Sequence, residues 1–182
     1  MSVTITYFVH GTTTDNEQNL ATGQLPGELS TRGREQAVEL GELVQDRTFD
    51  VVFCSDLNRA VESAQLGFGD KYQIIEDARL RECDYGDLAG KPGSEAFAGG
   101  KELRIDTPFP SGESYRDVET RIADFLHYLK DNYDGKHVAI MAHQAPQFAI
   151  EVLLLGKTWP QVIREDWRKT GAWQPGWDYR IR

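Results

Sequence analysis

Two histidines stand where apolar runs stop. Val3, Ile5, Tyr7 and Val9 alternate with Thr4, Thr6 and Phe8, and the pattern ends at His10, before Gly11 and the hydroxyl-rich segment Thr12-Thr13-Thr14. Val138-Ala139-Ile140-Met141-Ala142 reads as a second strand and ends at His143. In an open α/β sheet, the C-terminal ends of the strands form the edge where ligands bind. Arg59 falls in the first turn of a helix that follows another strand, and Glu82 closes the charged run Asp77-Ala78-Arg79-Leu80-Arg81-Glu82 past a further one. Imidazole, guanidinium and carboxyl groups are the side chains of proton transfer and anion binding. Taken singly, each also has a plain reading: a strand-end histidine satisfying local hydrogen bonds, or an arginine in a surface ion pair. A zinc site built from His10, His143 and a carboxylate is the chemical rival, but no His-x-His or Cys-x-x-Cys cluster supports it.

The elements that must position these groups follow from periodicity. Ser30 or Thr31 caps a helix running to about Asp46, with Ala37, Leu40, Leu43 and Val44 on its apolar face. Phe49–Cys54 suits a buried parallel strand, and Leu57, Ala60, Val61 and Ala64 give the next helical face. Tyr72–Ile75 reads as another strand. From Gly86 to Gly112 periodicity gives way to Gly and Pro, as expected of a cap inserted between core elements. Ser114 begins the clearest helix, with Asp117 at the capping position and Val118, Ile122, Phe125, Leu126 and Leu129 in one stripe. His127, beside that stripe, reads as structural or exposed. Pro146 fits a first helical turn after His143, with Gly156 as a stop. His137, at a strand's entry end, falls on the far side of the sheet. The tail carries Trp159, Trp167, Trp173 and Trp177, read as core cover, and ends in an edge strand over residues 177–182. The order strand, helix, strand, helix predicts an α/β fold with a mostly parallel sheet.

A chain of 182 residues fits one domain, 1–182, with the cap at about 86–112. Lys and Arg total 20 against 29 Asp and Glu, a formal net charge of −9, so neither nucleic acid nor an anionic membrane finds general attraction. An anionic small molecule would need a local cluster of cations. There is no signal-like or membrane-spanning run, and the cytoplasm is the default compartment. Cys54 and Cys83 read as structural thiols. Whether the chain is a monomer or a homodimer is not legible.

Read together, the pieces resemble the histidine phosphatase superfamily, the phosphoglycerate-mutase-like fold, over most of the chain. They are His10-Gly11 with Thr13 and Asn16, Thr22-Gly23, Leu29-Ser30 with Gly33 and Gln36-Ala37, Ser55-Asp56-Leu57 with Arg59-Ala60, Leu80-Arg81-Glu82 with Gly86, Pro110-Ser111-Gly112-Glu113-Ser114, and Ala142-His143. The resemblance implies a three-layer α/β/α fold with a short cap insertion and a metal- and cofactor-independent hydrolysis of a small-molecule phosphomonoester. By it His10 is the nucleophile that becomes phosphohistidine, Arg59 grips the phosphoryl oxygens, His143 donates to them, and Glu82 serves as acid and then base. Gly11, Asn16, Thr22, Gly23 and Gln144 would bind the phosphate or line the pocket.

Two positions depart from the family pattern. Val9 stands where the family has Arg, and Gln144 where many relatives have Gly. Loss of a guanidinium from a desolvated anion site costs on the order of 2–5 kcal/mol. Three consequences follow: Arg79, Arg81, Lys91, Lys101 or Arg104 reaches in as replacement; the enzyme acts on a less charged substrate; or the chain binds a phosphorylated metabolite or a protein partner without turnover. The short cap favours hydrolysis over mutase activity. Retention of His10, Arg59, Glu82 and His143 together favours an enzyme.

Overall fold

A parallel strand buried on both faces needs apolar side chains at successive positions, and the middle of this chain supplies them. The computed structural model describes residues 2–182. In chain order its elements are β1 (Val3–Val9), α1 (Thr14–Glu17), α2 (Thr31–Leu43), β2 (Val51–Cys54), α3 (Asn58–Phe68), β3 (Ile74–Glu76), α4 (Gly93–Ala96), α5 (Tyr115–Asn132), β4 (His137–Ala142), α6 (Gln144–Leu155), α7 (Trp159–Arg164), α8 (Trp167–Thr170) and β5 (Trp177–Ile181). The five strands form one sheet in the order β3-β2-β4-β1-β5, parallel except for β5, which runs antiparallel along β1.

Alternation along the strands divides the core in two. Val3, Ile5, Tyr7, Phe53, Val138 and Ile140 face α5 and α6. Phe8, Val52, Cys54, Ala139 and Met141 face α2 and α3. The result is the three-layer α/β/α arrangement, in which Thr6 of β1 is fully buried, bonded through Oγ1 to His137 and Asp178. Both cysteines are free and buried. No helix among the described residues is long and apolar enough to cross a membrane.

Several boundaries differ from the sequence reading. The helix expected to reach Asp46 ends at Leu43, with Val44 as its C-cap, and Leu43 itself is exposed. The strand expected over Phe49–Cys54 pairs only from Val51, and its neighbour is Ile74–Glu76 rather than Tyr72–Ile75. Phe49 and Tyr72 instead turn their rings toward each other, centroids 5.6 Å apart, with Phe8, Phe68 and His137 also against Phe49. Phe8, Phe49 and Phe68 belong to the cluster on the α2 and α3 side of the sheet, with Tyr72 packed against it.

The expected cap, Gly86–Gly112, has its own small core. Tyr85, Phe97 and Phe109 meet edge to face or tilted at 4.9–6.1 Å. Backbone bonds from Ala21 to Lys91 O, and from Gly90 and Gly93 to Ala21 O and Asn19 O, fasten it to the loop after β1. Ser114 and Asp117 form the expected capping box, and Gly156, at φ +68°, ends α6. Of the tryptophans, Trp159 is buried and stacked on Tyr115, whereas Trp173 is half exposed, so core cover describes only part of the tail.

Candidate active site

Register brings the two histidines together. Val9 pairs with Ala142 at the ends of the neighbouring strands β1 and β4, so His10 and His143 are the next residues out, and His10 N–H donates to Ala142 O at 3.2 Å. The ring centroids lie 4.9 Å apart. This adjacency is a property of strand order, which places β1 beside β4 although 127 residues lie between the end of β1 and the start of β4 in the chain.

The His10 ring is oriented by its neighbour's backbone: Nδ1 lies 2.7 Å from Gly11 O. A carbonyl accepts only, so Nδ1 carries the proton and Nε2 keeps a free lone pair. Burial and then the Arg59 charge hold the His10 pKa down at about 3. The imidazole is therefore neutral at physiological pH, the form that can attack an electrophile. His143 is fully buried, and neither of its ring nitrogens has a hydrogen-bond partner among the described residues. Burial, Arg59 and His10 hold its pKa well below the ordinary histidine range. Its main chain is clamped by Tyr7, whose hydroxyl donates to His143 O at 2.7 Å and accepts from His143 N–H at 3.1 Å.

Arg59 lies in the first turn of α3 and is almost wholly buried. It donates to Gly23 O at 2.6 Å and Leu25 O at 3.2 Å, so part of its fork holds the loop that follows Thr22. Glu82 sits against the N-terminus of α6. Its Oε1 accepts from Cys83 N–H (2.7 Å) and Ala145 N–H (3.2 Å), and its Oε2 from Gln144 N–H (3.1 Å). An anion at a helix N-terminus meets unpaired N–H groups and the positive end of the helix dipole. One acceptor site on Oε2 is left for a proton shared with a ligand.

His10, Arg59 and Glu82 line one cavity of about 540 Å³, together with Val9, Asn16, Thr22, Gly23 and Gln144, whereas the fully buried His143 does not line it and meets the site through its ring contact with His10. Asn16 is exposed at its rim and shares a capping box with Thr13, while Thr22 donates to Asp15 Oδ2 at 2.9 Å. Gly11 stands apart from the others: it does not line this cavity, and its N–H donates to Ser63 Oγ at 3.1 Å. Glycine is required there because a Cβ would collide with Gly33 O at the start of α2. Of the five basic residues expected as replacements at position 9, Lys101 lines the cavity. Arg79 is paired with Asp77 and Asp124, Arg81 with Asp56, Arg104 donates to Pro108 O, and Lys91 is exposed. Among the described residues no group of three His, Cys, Asp or Glu side chains is arranged to hold a metal ion.

Residues 7–174 match the family model described as histidine phosphatase superfamily (branch 1). The chain belongs to the histidine phosphatase superfamily. This histidine phosphatase family member is 35% identical over 150 residues to a 2,3-bisphosphoglycerate-dependent phosphoglycerate mutase of Parvibaculum lavamentivorans, covering 74% of this chain and 71% of that protein. It is 31% identical to fructose-2,6-bisphosphatase TIGAR B of Danio rerio, over 86% of this chain and 64% of that one. Among solved structures, a mycobacterial glucosyl-3-phosphoglycerate phosphatase superposes with a TM-score of 0.76 at 29% identity, covering 90% of this chain and 84% of its own.

Sequence reasoning missed Tyr7, Arg121, Asp166 and Arg168. Arg121 on α5 donates to the carbonyls of Arg79, Arg81 and Glu82 and to the Glu113 carboxylate, fastening the segment that presents Glu82. Its place beside Val118 and Ile122 on the buried stripe was the available signal. Arg168 lines the cavity from the tail, with Asp166 bonded to it.

Proposed function

We propose that this chain is a metal-independent phosphomonoesterase working through a phosphohistidine at His10. The observation that carries the reading is the His10 tautomer: with Nδ1–H committed to Gly11 O, Nε2 is left free on a ring that shares a cavity with Arg59 and Glu82 and lies 4.9 Å, centroid to centroid, from the His143 ring. In the first step Nε2 bonds to phosphorus as the ester P–O bond breaks, and Glu82 gives its proton to the departing alkoxide. Arg59 and a donating His143 neutralise the equatorial oxygens, which is most of what phosphoryl transfer asks of a protein. In the second step Glu82 removes a proton from water, which attacks phosphorus, and the P–N bond breaks to release phosphate and free His10.

The names of the relatives point to small phosphorylated sugars and glycerates as the substrate class. The similarity to a phosphoglycerate mutase favours a second reading, in which the phosphoryl group returns to a hydroxyl of the substrate instead of going to water. The test is rapid quench with a radiolabelled aryl phosphate. One acid-labile, base-stable label per chain is expected, absent in His10→Asn, with release to water exceeding transfer to added phosphoglycerate. Hydrolysis without label on His10, or no label and no hydrolysis at all, would reject the proposal.

A further inference from the structure

Resting on that reading, charge balance around the cavity raises a difficulty. Arg59 and Glu82 cancel formally, both imidazoles are held neutral by burial, and position 9 is valine. A phosphoryl dianion in a desolvated site needs more positive charge than this.

Two cations outside the set recognised from sequence motifs line the same cavity, and both hang from the residue after His143. Gln144 Oε1 accepts a short hydrogen bond from Lys101 Nζ. Gln144 Nε2 donates to Asp166 Oδ2 at 2.5 Å, and Asp166 Oδ1 accepts from the Arg168 guanidinium at 2.9 Å. The two ends of the amide fix each other, since an ammonium demands the oxygen and a carboxylate the nitrogen. The Arg168 guanidinium is further braced over the Trp167 ring at 4.3 Å, and its Asp166 partner is buried. Lys101 lies over Phe97 at 4.9 Å, and no carboxylate within ion-pair distance of it is seen among the described residues. The Glu82 and Asp166 carboxylates act on this ammonium only from beyond ion-pair distance, which leaves it able to take a direct contact with an anion. In keeping with this, burial pulls its pKa down to about 8, and the Arg168 charge is felt at both His10 and His143.

We infer that Lys101 and Arg168, held through Gln144 and Asp166, bind the transferring phosphoryl group in place of the guanidinium that Val9 lacks. The two departures at positions 9 and 144 then form one exchange: charge removed from the end of β1 returns from the cap and the tail, on a side chain that glycine could not provide.

Inorganic phosphate is the probe, because it carries no second anionic group and needs no turnover. Arg168→Gln and Lys101→Met should each weaken phosphate binding by calorimetry at least about tenfold with unchanged circular dichroism, as expected for loss of a charge-assisted contact. Gln144→Leu should weaken it too, without a matching fall in melting temperature. Val9→Arg should restore affinity in the Arg168→Gln background and do little alone, where it meets Arg168 as a like charge. Unchanged phosphate affinity in both single variants, or weakening seen only with doubly anionic substrates, overturns the inference even when His10 is phosphorylated normally. Weakened phosphate binding in a protein that never forms phosphohistidine would sustain it and reject the hydrolase reading instead.

Discussion

Replacing Glu82 by Gln separates the two jobs assigned to that carboxyl group. The amide can keep an oxygen where Oε1 accepts from Cys83 and Ala145, but its NH₂ then faces the Gln144 N–H that Oε2 received at 3.1 Å. One charge-assisted bond is lost, about 1.5–3 kcal/mol, and so is a negative charge at the N-terminus of α6, about 0.3–2 kcal/mol. Stability should fall by about 2–4 kcal/mol, which for a chain of this size lowers the melting temperature by roughly 5–15 °C. The kinetic effect depends on the leaving group. A nitrophenolate departs without a proton, so phosphorylation of His10 by nitrophenyl phosphate should slow less than about tenfold, whereas an alkyl phosphate should slow by about 10²–10⁴. Hydrolysis of the phosphoenzyme needs the same carboxylate as base, so the variant should show a stoichiometric nitrophenol burst followed by a slow steady state. Stopped-flow absorbance with nitrophenyl phosphate, and quench-flow with an alkyl ester, measure both steps. Equal slowing of phosphorylation for the two esters, or the lack of a burst, would show that Glu82 shapes the site without moving protons.

Tyr7→Phe removes both bonds that hold the His143 main chain and leaves a buried N–H and C=O without their partner, costing about 2–5 kcal/mol in urea denaturation with an unchanged m-value; a loss below about 1 kcal/mol would contradict the clamp. The buried imidazoles also set an acid limit. His10 in the fold takes up a proton only near pH 3, while in the unfolded chain it does so near 6.5, so the unfolded state binds more protons as pH falls between these values and stability is lost there, by up to about 1.4 kcal/mol per pH unit. His10→Asn should therefore gain about 1–2 kcal/mol relative to the native chain between pH 7 and pH 5, read from denaturation curves at both, and an unchanged difference would place the titrating group elsewhere.

What was legible in the sequence was what local pattern controls. His10 and His143 were visible because apolar runs stop at them, and Arg59 because a strand and a helix start bracket it. That the histidines touch depends on β1 lying beside β4, a choice of strand order that periodicity does not encode. The cap was seen as a gap in the pattern; its three-ring core was not, since Tyr85, Phe97 and Phe109 lie in turns too short to show a period. Arg168 escaped notice because its link to the site runs through Asp166 to Gln144, distant in the chain, and a tertiary contact of that kind leaves no spacing signature.

The groups assigned to chemistry have their main anchors in the backbone. His10 is set by Gly11 O, Arg59 by the carbonyls of Gly23 and Leu25, Glu82 by three N–H groups, and His143 by Tyr7 acting on its peptide. Such anchors survive side-chain change, because any residue supplies a carbonyl and nearly any an N–H. The cations proposed to finish the anion site are held the other way, by the side chains of Gln144 and Asp166. A reaction centre fixed by main chain and a charge supply fixed by side chains can diverge at different rates. That separation offers a physical reason why a chain with valine at position 9 can still assemble the rest of the site.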